Sequence, residues 1–146
     1  MGITYRIDKA RGITVVLWDK LVTSEQFLAH VRTLLADAEW PPQQRLHLCD
    51  LRQASIDASI DEACLKSAAD LYGTKREKIS TMKVAIVAGE AFAKSKQFER
   101  FMSPYSATVI VFNNIETACA WLGVDVTHTK RKLDELRALP HGGASL

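Results

Sequence analysis

Two stretches constrain the fold more than anything else in the chain: residues 82–88, MKVAIVA, and residues 107–112, ATVIVF. Each is a nearly continuous apolar run rich in β-branched residues and bounded by turn signals, the pattern of a strand rather than a helix. A strand without polar alternation is covered on both faces, and sheets covered on both faces are parallel sheets flanked by helices. The remaining sequence must therefore supply those helices.

It supplies them in alternation with further strands. Residues 3–8 set Ile3, Tyr5 and Ile7 against Thr4, Arg6 and Asp8, the period of a half-buried strand. A turn at Ala10-Arg11-Gly12 leads to a second apolar strand over 13–18, and so short a connection forces an antiparallel hairpin. Thr23 reads as an N-cap with Gln26 at the capping-box position, ahead of a helical stripe of Phe27, Leu28, Val31, Leu34 and Leu35. Trp40-Pro41-Pro42 stops that helix. Residues 46–51, LHLCDL, make a third strand. Ser59 opens a second helix with Glu62 completing a capping box, and Gly73 is placed to end it. Phe92, Phe98, Phe101 and Met102 mark a third helix starting near Glu90. Asn114 caps a fourth, bearing Ile115, Ala118, Cys119 and Leu122.

This order predicts the α/β fold class: one domain with a five-stranded, mostly parallel sheet, an N-terminal antiparallel hairpin and packed helices. The domain is expected over 1–123. Residues 124–146 follow as an extension, with one more helix over 127–139 and a loose tail after it. At 146 residues the chain suits one domain and can bury a core without metal or disulfide staples.

A net charge of +2 leaves no basic excess of the kind that coats phosphate, so nucleic acid is not an expected partner. Cys49, Cys64 and Cys119 have no metal-ligand spacing and sit among apolar neighbours, which reads as reduced, buried thiols. The N-terminus lacks the apolar core of a signal peptide, and no apolar run is long enough for a membrane span. A cytoplasmic location is the expectation.

Motifs that carry chemistry are missing: no phosphate-binding Gly-rich loop, no G-x-S-x-G, no H-E-x-x-H and no C-x-x-C. No cofactor and no catalytic activity are expected. His47, alternating with apolar residues, reads as a satisfied core histidine, and His30 as a surface or boundary residue. Asp50, Arg52, Asp57, Asp61 and Glu62 cluster after the third strand. Acid–base chemistry is one reading of them, and first-turn anions at a helix dipole with loop solvation is the blander one. Lys94, Lys96 and Arg100, and Lys130, Arg131 and Lys132, read as solvated helix faces.

A small ligand would be expected beyond the carboxyl ends of the parallel strands, at Asp50, Arg52, Gly89 and Asn113. The stripe of Phe98 and Met102 reads first as core, and second as the wall of an apolar pocket between its helix and the sheet.

The wording of several segments resembles the SpoIIAA-like branch of the STAS (anti-sigma-factor antagonist) superfamily of small bacterial proteins. The residues that carry the likeness are Ile3-Thr4-Tyr5, Asp50-Leu51, Lys83-Val84-Ala85-Ile86-Val87, Val111-Phe112, Glu116-Thr117-Ala118 and Ala120-Trp121-Leu122. The resemblance implies a regulatory or protein-interaction module whose partner is another protein or a second copy of itself. Related folds that bind lipids imply the alternative, a carrier or sensor of a small apolar or lipid-like ligand. Partner-switching members carry a phosphorylated Ser or Thr in an Asp-Ser-Ser-Gly-like context. Ser59 in Asp57-Ala58-Ser59-Ile60 is its loose counterpart, with Ile60 where the family has Gly. The competing reading of Ser59 is a helix cap, with its Ser-x-x-Glu box.

Overall fold

The computed structural model describes residues 2–139. The elements follow in the order β1 (Ile3–Asp8), β2 (Ile13–Val22), α1 (Ser24–Ala36), β3 (Leu46–Ile56), α2 (Glu62–Gly73) and a short α3 (Arg76–Ile79). After these come β4 (Lys83–Val87), α4 (Phe92–Met102), a 3-10 turn (Ser103–Tyr105), β5 (Thr108–Phe112), α5 (Ile115–Leu122) and α6 (Val126–Arg137). The strands form one five-stranded sheet in the order β1-β2-β3-β4-β5. Only β1 and β2 are antiparallel. The expected α/β class is therefore the observed one.

A sheet whose parallel strands follow in sequence order has a consequence for the helices. Right-handed crossovers that always step in the same direction leave every crossover helix on the same face. Accordingly α1, α2 and α4 share one apolar core with Val16, Trp18, Leu51 and Ile86 of the sheet. The opposite face packs Val15, Leu48, Ala85 and Val87 against α5 and α6, through Ile115, Cys119, Leu133 and Leu136. The two continuous apolar runs thus become β4, covered from both sides, and the edge strand β5, which buries Val109 and Val111 against the helices of one face and only half-buries Ile110 and Phe112 on the other.

Several local expectations are corrected. The stripe expected to put Phe92 inward places it outside, 40% exposed. The inward positions of α4 are Ser95, Phe98 and Met102, with Ala91 and Lys94 a turn earlier. Helix α1 ends at Ala36, before Trp40-Pro41-Pro42, at a turn in which Asp37 accepts from the backbone N–H of Glu39 and the hydroxyl of Tyr5. Gly73 is the last residue of α2, and the position takes glycine for a steric reason: a Cβ there would lie 2.6 Å from the Tyr105 ring. The expected C-terminal tail lies outside the described residues.

The Ser59 cap is the clearest correction. Helix α2 begins at Glu62, with Asp61 as N-cap accepting from the Cys64 N–H at 2.9 Å. Ile60 is buried to 1% and is held in a turn by its N–H donating to the Asp57 carbonyl. Sinking Ile60 into the core outside the helix delays the helix start by two residues, and Asp caps as well as Ser does. Ser59 instead serves the neighbouring helix: its Oγ accepts from the Ser24 N–H of α1 at 2.9 Å. The Thr23 and Gln26 capping box of α1 forms as expected.

Candidate functional site

A cavity of about 80 Å³ lies between the sheet and the layer of α1, α2 and α4. One ordered water needs roughly 10–15 Å³, so the space holds several atoms more than a packing defect would. Its floor is Trp18, Cys49, Leu51, Val84, Ile86 and Val109. Its roof comes from Phe27 and His30 of α1, Leu65 and Tyr72 of α2, and Lys94, Ser95, Phe98 and Met102 of α4.

Aromatic rings form a continuous chain along this wall. Trp18 meets Phe27 at 5.0 Å, Phe27 meets Phe98 at 6.2 Å, and Phe98 meets Tyr72 at 6.2 Å. Tyr72 meets Trp40 at 6.1 Å, and Trp40 meets His47 at 5.9 Å. Most of these contacts are edge-to-face, the arrangement favoured by ring quadrupoles. Rings locked against one another cannot collapse inward to fill the space they surround, so packing preserves the cavity.

The wall is mainly apolar but not entirely. His30, His47, Tyr72, Cys49 and Ser95 also border it. Burial holds His30 down to about 4, and burial with the neighbouring His30 holds His47 down to about 3. Both are neutral imidazoles at physiological pH. Burial, reinforced by the charge of Asp50, pushes the Cys49 thiol up to about 12, which makes it a neutral and unreactive group. Burial likewise raises Tyr72. Lys94 is the charged residue on the wall, and its ammonium donates to the Ile60 carbonyl.

Of the site residues expected from sequence, the structure brings Phe98 and Met102 to this cavity. It places the others elsewhere. Asp50 is 1% exposed on the α5 and α6 side of β3, where its carboxylate accepts from Arg52 Nε at 2.9 Å and Arg52 Nη2 at 3.0 Å. The reason lies in the register. Leu17 pairs with Asp50 and Asp19 with Gln53, so β3 carries one extra residue in a bulge. A bulge leaves a backbone N–H without a ladder partner, and Asp50 Oδ1 accepts that of Arg52 at 3.1 Å. The pair is thus a clamp on the bulge. Gly89 lies against the Arg52 backbone. Asn113 is exposed and accepts from the Asn114 side chain. Asp61 is spent as the α2 cap, and Asp57 accepts from the Ser59 N–H.

The strand order explains why the carboxyl-end expectation misses the cavity. Ligand crevices at strand ends arise where strand order reverses and neighbouring crossovers diverge to opposite faces. The parallel part of this sheet never reverses.

His30, read from sequence as surface or boundary, is buried, and it stands in the same inward stripe as Phe27, Val31 and Leu34. Its spacing of three from Phe27 and four to Leu34 was the available signal. Among the described residues no cluster of His, Cys, Asp and Glu could hold a metal ion, and no helix is long and apolar enough to cross a membrane. The chain matches no protein-family model and no curated protein.

Proposed function

We propose that this protein is a carrier or sensor of a small, largely apolar molecule held between the helix layer and the sheet. One observation carries the reading: an aromatic-walled cavity, lined by Phe98 and Tyr72 among others, in a domain otherwise packed on both faces of its sheet. Interiors normally close to crystal density, and an apolar void forfeits contacts on every atom that lines it. A ligand restores those contacts. Apolar pockets with few, placed polar groups are the common form of small-molecule sites.

The regulatory reading that accompanies the resemblance to the STAS superfamily has Ser59 as its point of attachment. That hydroxyl is engaged by the N-terminus of α1, and the carboxylates of Asp57, Asp61 and Glu62 crowd any phosphate placed there. The ligand-holding reading therefore stands first.

Its test is thermal. Benzene near aqueous saturation should raise the Tm of the parent protein by mass action. It should leave Val84→Phe and Ala107→Leu, which fill the cavity from the β4 and β5 sides, unmoved. An equal response in all three proteins, or none in the parent, would overturn the reading. Native mass spectrometry of the purified protein gives a second route, through any small molecule retained.

A further inference from the structure

The structure assigns this cavity a selectivity that rests on the reading just given: its ligand carries a neutral hydrogen-bond acceptor, a carbonyl or ether-like oxygen, received by His47 Nε2–H and the Tyr72 hydroxyl. The argument begins at Trp40. Its indole N–H is a donor only, and it donates to His47 Nδ1 at 3.3 Å. Nδ1 is therefore the unprotonated nitrogen of a neutral imidazole, and the proton sits on Nε2. The tautomer of His47 is thus fixed by its neighbour.

His47 is 3% exposed, yet among the described residues nothing accepts from Nε2–H. The Tyr72 hydroxyl on the same wall also has no protein partner among them, nor do the ring nitrogens of His30 and the hydroxyl of Ser95. Buried polar groups in folded proteins are overwhelmingly paired. The fully buried side-chain atoms without a partner among the described residues are Thr14 Oγ1 and Arg137 Nε, neither of which borders the cavity, while the unpartnered groups that do border it are not fully enclosed by protein. Thr14 is itself the register partner of His47 on β2. Unpaired polar groups bordering one apolar space are what a polar ligand atom answers.

Charge selects the kind of atom. The imidazoles are neutral, the Cys49 thiol is neutral, and the Lys94 ammonium is engaged with the Ile60 carbonyl. An anionic head set at His47 and Tyr72 would be desolvated about a helix length from the Lys94 ammonium, which sits on the Ile60 carbonyl ahead of α2 while Tyr72 is in the last turn of that helix, and a cationic head would face donors. A neutral acceptor satisfies Nε2–H and Tyr72 together without either cost.

Cyclohexane, cyclohexanone and cyclohexanecarboxylate probe this directly, titrated into protein carrying 15N-labelled histidine. His47→Asn keeps an acceptor for Trp40 where Nδ1 was and removes the Nε2 donor; Tyr72→Phe removes the hydroxyl. In the parent, His47 should be protonated at Nε2 alone, and cyclohexanone should shift that resonance saturably. Each single variant should weaken cyclohexanone binding about fivefold, while cyclohexane affinity stays within about twofold. Cyclohexanone binding that is indifferent to both variants, with cyclohexane still bound, would overturn the acceptor inference and leave the apolar cavity standing. Failure of both neutral probes would overturn the carrier reading itself. Tightest binding by the carboxylate, lost in Lys94→Met, would overturn the neutral head.

Discussion

Burial holds His30 down to about 4 and His47 down to about 3, while the unfolded chain takes up a proton at each near pH 6.5. The sign follows from that difference. Stability is fully present above about pH 6.5 and is lost as the pH falls toward the folded values, because only the unfolded state binds the protons. Between pH 7 and 5 the loss should reach about 2 kcal/mol for each histidine. Urea melts of the parent and of His30→Leu across that range should show the variant's slope against pH roughly halved. Identical slopes would mean that these imidazoles are not buried neutral. Cys49 gives a second residue-scale expectation: its thiol should react with a maleimide far more slowly than a free cysteine, and more slowly still with benzene present. Prompt labelling in the native state would contradict the protected cavity wall.

At the scale of elements, the helix caps and the β3 bulge decide where the chain turns. Asp61→Ala should cost about 1 kcal/mol by removing the α2 cap. Ser59→Ala should cost less than half of that, since the Ser24 N–H it serves is near solvent and α1 keeps its Thr23 box. Equal costs would restore Ser59 as a primary cap. Asp50→Ala should be the more damaging change, at about 2–3 kcal/mol, because it strips the bulge N–H of its acceptor and releases Arg52. Chemical denaturation of the three variants checks all of these.

The same elements show what was legible in the sequence. Thr23 with Gln26, Asn114, and the runs that became β4 and β5 could be read because a cap or an apolar period is a local signal. The β3 bulge could not, since an extra residue is defined only against the partner strand. Ser59 was misread for a related reason: Ser59-x-x-Glu62 and Asp61-x-x-Cys64 are both plausible starts, and the burial of Ile60 chose between them.

Over the whole molecule, strand order does the organising. A sequential parallel sheet puts α1, α2 and α4 on one face and leaves α5 and α6 to cover the other. One core is closed and the other is held open by a chain of aromatic rings from Trp18 to His47. Phe98 and Met102 were legible as candidates for that wall and His30 had a signal in its helical spacing, but that α1, α2 and the Trp40 turn meet around one space is set only by the tertiary arrangement. The most direct measurement is a benzene titration followed by 13C methyl NMR. Saturable shifts should be confined to methyls that line the cavity, such as those of Leu51, Leu65, Val84, Ile86 and Val109, with Val15, Leu48 and Leu133 on the closed face unmoved. Shifts spread equally over both faces, or none that saturate, would contradict a ligand site between the sheet and α1, α2 and α4.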